Sequence, residues 1–318
     1  MRKISLFGRE LSAVALGSTD FGGTIPESTA IELLDAFHEI GGNYLDTAHV
    51  YGDFVTPKNG VSEAIIGRWL EETRSRGKIF LSTKGGHPVL GHMDEPRLDR
   101  ASIRRDIMES LEALRTDHVD IFWLHRDDAD RPVGDILETL QQLAEEGLTL
   151  HTGVSNWRPA RIREANAYAA SHGLRPIEAN QPRFSLAEQV TVEDPTLVPM
   201  DAEGYRMHME TGMPCIPFSS QAKGFFTKLD TIGADALPAK AKRRFYTPEN
   251  LAVYERLLRV RESTGLSVGA LAVAWLTSQP FPVLPLCGAS RAEQVYALKE
   301  AADAEIAPEQ RDYIRRMI

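Results

Sequence analysis

The sequence predicts an α/β fold, a single (β/α)8 TIM barrel over residues 1–318. Three observations predict it. Short apolar runs alternate with helical patterns along the chain, which argues for a parallel sheet. Eight such runs are present, which argues for closure into a barrel. Three runs end on an ionisable side chain, as a barrel with a polar site over the carboxyl ends of its strands requires.

The strand candidates are Ala13–Gly17, Asn43–Thr47, Ile79–Lys84, Val119–His125, Leu150–Ser155, Ile177–Gln181, Cys215–Ser219 and Pro282–Leu286. Most lack sustained polar alternation, the pattern of strands buried on both faces. Of the helices, Ser28–Ile40 puts Ile31, Leu34 and Phe37 on one face and stops at Gly41-Gly42. Ser62–Glu72 follows a glycine, and Asp99–Leu114 repeats Ile103, Ile107, Leu111 and Leu114 at helical spacing. Val133–Glu146 and Pro159–His172 end at Gly147 and Gly173. Two connections are long, 184–214 and 220–247, the first with a short helix near Ala202–Glu210. In a barrel they would stand over the mouth. Arg291–Ala302 and Pro308–Met317 read as the last helices.

Composition narrows the function. The length suits one barrel domain, and 42% apolar residues suffice for a sizeable core. A net charge of −9 argues against a general nucleic-acid or membrane surface. The basic cluster Lys240, Lys242, Arg243 and Arg244 reads as a solvated helix or loop. No apolar run approaches the ~20 residues of a membrane span. The start, MRKISLFGREL, lacks the apolar stretch of a signal peptide. Cys215 and Cys287 lie in apolar runs, so buried thiols and a cytoplasmic setting are expected. His49, His87, His92 and His208 lack metal-ligand spacing, and no metal is expected.

Asp46 follows Tyr44-Leu45, Lys84 closes Ile79 to Thr83, and His125 closes Val119 to Leu124. Tyr51 comes five residues after Asp46, in a turn that holds Gly52. The four make a proton-handling set. The phenol can be the acid, the ammonium can lower its pKa, the carboxylate can hold the lysine, and the imidazole can orient a carbonyl oxygen. The competing reading is an ordinary ion pair at a barrel rim with a tyrosine that merely packs. No GxGxxG follows an early strand; Gly22-Gly23 and Gly85-Gly86 are only pairs, so a Rossmann fingerprint is absent.

The strings NYLDTAHVYG, IFLSTK and VDIFWLH resemble those of the aldo-keto reductases, which carry Asp and Tyr in DTAxxYG, Lys in STK and His after the fourth strand. The likeness runs from about Leu16 to about Gln294. It implies a barrel that binds a nicotinamide cofactor and exchanges hydride reversibly with a small carbonyl or alcohol. It also implies that Ser155, Asn156 and Gln181 hold the carboxamide, and that Phe218, with Ser219 beside it, stacks on the nicotinamide. The segment LCGASRAEQ resembles the family's diphosphate and 2′-phosphate site, so Ser290, Arg291 and Gln294 would select NADP(H). Ala297 and Leu298 stand where relatives often carry an acid and an Asn against adenine. Phe21, Val50, His87, Arg126 and Trp157 are expected to line the substrate site. His87 and the turn Arg126-Asp127-Asp128 stand where many relatives carry large aromatics, and a site rich in Arg, Asp and His favours a sugar-like or hydroxylated carbonyl. The alternative is a cofactor-sensing barrel with slow turnover, like the β subunits of potassium channels.

Overall fold

The structure, a computed structural model, describes residues 1–53, 60–191 and 194–317. A hairpin comes first, β1 (Lys3–Leu6) antiparallel to β2 (Arg9–Ser12). Its two-residue turn places Phe7 and Gly8 at φ of 53° and 67°, the positive values that a tight hairpin turn demands. Phe7 stacks on Phe80 with ring centres 5.4 Å apart. Leu11, Ile4, Leu6 and Phe7 pack against Ala15, Tyr44, Phe80, Ile121 and Trp123, so the hairpin closes one end of the barrel.

The barrel strands are β3 (Ala15–Gly17), β4 (Tyr44–Asp46), β5 (Phe80–Gly85), β6 (Val119–Leu124), β7 (Thr149–Ser155), β8 (Ala179–Gln181) and β9 (Leu286–Cys287). They form one parallel sheet in the order β8-β7-β6-β5-β4-β3-β9. The segment 214–218 closes the ring. It bridges Asn180 on one side and Val283 on the other, through Ile216 N to Asn180 O at 2.9 Å and Leu284 N to Cys215 O at 2.9 Å. The fold is therefore the (β/α)8 barrel, but its seventh and eighth staves are less regular than expected. Pro214, Pro217, Pro282 and Pro285 each lack an N–H, so the ladders there are interrupted.

The helices are α1 (Glu27–Glu39), α2 (Val61–Thr73), α3 (Arg100–Leu114), α4 (Val133–Glu145), α5 (Pro159–His172), α6 (Ala202–Thr211), α7 (Phe225–Ile232), α8 (Ala239–Phe245), α9 (Pro248–Thr264), α10 (Val268–Thr277), α11 (Ala292–Asp303) and α12 (Pro308–Ile314). Asp99, Asp201, Thr247 and Ser267 cap four of them by accepting from a backbone N–H. The expected loop 220–247 carries α7 and α8 instead, with Phe225, Phe226, Leu229 and Phe245 buried beneath them. The basic cluster lies on α8. Residues 192 and 193 of the expected loop 184–214 lie outside the described residues. Among the described residues, no helix is long and apolar enough to cross a membrane.

Alternate residues of each strand point into the barrel. At the hairpin end this inward set is apolar: Tyr44, Phe80, Ile121 and Ala179. Trp123 fills the middle, where a Cβ on Gly153 would come within 2.3 Å of its ring. Toward the carboxyl ends the same alternation continues into Asp46, Ser82, Lys84, His125, Ser155 and Gln181. The change from apolar to polar along the barrel axis fixes where chemistry can occur.

Candidate active site

Asp46, Lys84, His125 and Tyr51 come together at the carboxyl end of the barrel. Lys84 Nζ donates to Asp46 Oδ2 at 2.5 Å and to the Thr47 carbonyl at 2.7 Å. The same ammonium lies 4.6 Å from the centre of the Tyr51 ring. Tyr51 meets His125 edge to face, with ring centres 5.7 Å apart. Exposure rises outward: 1% for Asp46 and Lys84, 7% for His125 and 9% for Tyr51. The ion pair is thus the buried base of the site, and the phenol and imidazole form its reachable surface.

Asp46 is held on both oxygens. Ser82 Oγ donates to Oδ1 at 2.6 Å and Gln181 Nε2 at 3.2 Å, while Lys84 takes Oδ2. A buried carboxylate needs such partners, since an unpaired charge in this setting is strongly unfavourable. For Lys84, burial works to lower the pKa, and the opposing charges of Asp46 and Tyr51 outweigh it, so the net direction is upward. The lysine stays charged.

Tyr51 is carried by a turn fixed at several points. Thr47 N donates to Ser82 O and His49 N to Lys84 O, each at 3.0 Å. Ser62 N donates to Tyr51 O at 3.2 Å. The His49 imidazole sits 2.7 Å from Glu109 on α3. This tether was not legible in the sequence, where His49 reads as a loop histidine.

The two imidazoles of the mouth are neutral. His125 is pushed well below the usual histidine range by burial, then by His87, Arg126 and Lys84. Its Nδ1 is buried without a hydrogen-bond partner. A proton there would be an orphaned donor, so the proton belongs on Nε2. His87 is held down to about 4 by burial and by the Arg126 guanidinium. Its Nδ1 lies 2.6 Å from the Pro88 carbonyl, which can only accept. The rings stand 4.8 Å apart.

The other expected substrate residues divide. Val50 is beside Tyr51 in a small cluster with Ala48 and Leu90. Phe21 and Trp157 are each 1% exposed, as buried as Lys84, and packed in the main core. Trp157 Nε1 donates to Arg126 O at 3.1 Å. Three of the five guanidinium N–H groups of Arg126 are engaged within the protein. Its Nε donates to Thr196 Oγ1 at 2.8 Å, Nη1 to His125 O at 2.9 Å and Nη2 to Asp194 at 3.2 Å. It pins the connection after β8 across the mouth.

The expected cofactor residues lie at the ends of β7 and β8, in the segment after 214–218 and between β9 and α11. Ser155 Oγ donates to Gln181 O at 2.8 Å, and Asn156 Nδ2 to His125 O at 3.1 Å. Asn156 Oδ1 accepts from Val198 N at 3.1 Å. Phe218 is half-buried at the top of the barrel interior. Ser219, Ala222 and Lys223 hold φ of 55°, 48° and 55°, three non-glycine residues in the left-handed region. Strain of this kind collects at binding sites, and turned backbone of this sort presents N–H groups to anions. Ser290 N and Oγ donate to Gln294 Oε1 at 2.8 and 3.1 Å at the start of α11. Arg291 is exposed there. A half-open aromatic, a turned backbone and an arginine at a helix start fit a dinucleotide phosphate ester. Among the described residues, no group of three His, Cys, Asp or Glu side chains could hold a metal ion.

The model of the aldo/keto reductase family matches residues 13–318. The chain belongs to the aldo/keto reductase family. As a member it is an oxidoreductase of nicotinamide-dependent carbonyl reduction. An aryl-alcohol dehydrogenase of Pestalotiopsis microspora is 28% identical over 94% of this chain and 77% of its own. The NADP(+) aryl-alcohol dehydrogenase of Phanerodontia chrysosporium is 27% identical over 96% of this chain and 82% of its own. Among solved structures, the glycerol dehydrogenase of Gluconobacter oxydans aligns with a TM-score of 0.78 at 24% identity, covering 98% of this chain and 93% of that one. That likeness speaks for the barrel.

Proposed function

We propose that this aldo/keto reductase interconverts a hydroxylated, sugar-like carbonyl and its alcohol with NADP(H), with Tyr51 as general acid and base. The observation that carries the reading is the convergence of Tyr51, Lys84 and His125 above a buried Asp46. When bound, the nicotinamide supplies or accepts the hydride. Tyr51 would give its phenolic proton to the carbonyl oxygen as the alcohol forms. Lys84, kept charged by Asp46, favours the phenolate that remains. His125 Nε2–H would donate to the same oxygen and fix its direction. The alternative of slow, sensing turnover differs in rate rather than in site geometry.

Ser155, Asn156 and Gln181 would hold the carboxamide after small rotations away from their present partners. Phe218 would cover one nicotinamide face, with Ser219 at the diphosphate. Ser290, Arg291 and Gln294 would take the 2′-phosphate, a choice supported by the NADP(+) in one relative's name. A charged hydrogen bond to phosphate is worth about 1.5–3 kcal/mol, so Arg291→Ala should weaken NADPH by about 10–150-fold and barely touch NADH. Fluorescence titration with both cofactors measures this; equal wild-type affinity for the two would overturn the assignment.

The substrate class rests on charge and polarity at the mouth. Among the described residues, the two cations nearest the proposed reacting groups are both matched, Lys84 by Asp46 and Arg126 by Asp194. That suits a neutral hydroxylated molecule better than an anion. The relatives' names bring aromatic alcohols and aldehydes into the same test. NADPH absorbance with aldoses, hydroxyketones and aromatic aldehydes, run in both directions, decides; faster turnover of plain aromatic aldehydes would reject the hydroxylated class.

A further inference from the structure

We infer that His87 is a hydrogen-bond acceptor for a hydroxyl on the carbon next to the reacting carbonyl, which makes α-hydroxy aldehydes and α-hydroxy ketones the preferred substrates. The inference rests on the reductase reading above and adds the position of the hydroxyl and the residue that reads it.

His87 Nδ1 is 2.6 Å from the Pro88 carbonyl, so that nitrogen holds the proton. In a neutral ring the other nitrogen, Nε2, is then an acceptor. It has no protein partner among the described residues. His125, 4.8 Å away between ring centres, has the opposite tautomer, with its proton on Nε2. The mouth therefore offers a donor and an acceptor side by side. A carbonyl oxygen suits the first, and an adjacent hydroxyl suits the second.

The position is also built, not accidental. Gly85 and Gly86 bring the chain around tightly after β5. A Cβ on Gly85 would lie 2.7 Å from Phe122, and Gly86 has φ of +72°. Gly86 N donates to Asp106 Oδ2 at 2.8 Å. Arg97 donates to the His87 carbonyl at 2.9 Å and is itself held by Asp106 at 2.6 Å. The backbone on either side of the ring is thus fixed, and the Pro88 bond fixes the ring. Such pre-arrangement makes a single hydrogen bond selective. Burial and the cations Arg126 and Arg97 disfavour protonation of His87, while Asp194 favours it; the balance keeps the ring neutral at working pH.

The test compares hydroxyacetone with butanone, and glycolaldehyde with propanal, in which a methyl replaces the hydroxyl. Wild-type kcat/KM should favour the hydroxylated member of each pair by about 10-fold or more. In His87→Leu the ratio should fall toward one, and in His87→Gln, whose amide oxygen can still accept, it should recover in part. A wild-type ratio near or below one overturns the inference without any variant, so misfolding of a variant leaves the idea exposed. An unchanged ratio in folded His87→Leu overturns it too. If no carbonyl in the wider panel is reduced, the reductase reading itself fails and this inference falls with it.

Discussion

Tyr51→Phe is expected to lower turnover by about 10²–10⁴-fold while leaving cofactor affinity in place. The ring stays, so its edge-to-face contact with His125 and its packing under the Lys84 ammonium survive. Only the hydroxyl is lost. His125 cannot replace it, because its imidazole is neutral and gives a hydrogen bond rather than an easily transferred proton. The check is kcat on the best substrate beside a fluorescence titration of NADPH. Near-normal turnover would remove Tyr51 from the role of acid. The pH profile of the wild type should show no inflection near the usual histidine value from His125, since burial keeps it neutral there.

Asp46→Asn is expected to destabilise the fold by about 3–5 kcal/mol, because it leaves the fully buried Lys84 without its counter-charge. In the wild type the lysine pKa is raised, so the pair's stabilisation is complete below the ordinary lysine value of 10.5 and is lost only as pH climbs through the higher folded value. In the variant, burial is no longer outweighed and the pKa should drop below 10.5. The unfolded chain would then bind the extra proton. The deficit should therefore shrink as pH rises toward 10.5. Urea unfolding of both proteins between pH 7 and about 10 measures this. A constant deficit across that range would mean that Lys84 keeps its charge without Asp46.

Much of the site was legible because three of its residues close apolar runs. Asp46, Lys84 and His125 each follow a buried strand, and the two-residue alternation places them inward. The contacts between distant parts of the chain were not legible. Arg126 meets Asp194 and Thr196 about 70 residues further on, and no local pattern announces that pairing. It reads as a free arginine in the sequence and as a pinned one in the structure. The staves near Pro214 and Pro282 were read as ordinary strands, although proline breaks their ladders. Helix α10 is apolar on all sides, so it shows no amphipathic period to find. The hairpin β1–β2 escaped notice because short strands carry little signal, yet it plugs the barrel. The tautomers of His87 and His125 come from single hydrogen bonds or their absence, and no sequence pattern records those.

The proposed reaction at this mouth is hydride transfer with proton donation from Tyr51. Its most direct measurement is a single turnover: protein loaded with NADPH is mixed with hydroxyacetone or glycolaldehyde, and the loss of reduced-nicotinamide absorbance is followed. Oxidation of the bound cofactor is expected in one phase, slower when deuterium replaces the transferred hydrogen, and at least about 100-fold slower in Tyr51→Phe. Oxidation at the same rate in wild type and Tyr51→Phe, or none in the wild type with any carbonyl tried, would contradict the proposed reaction.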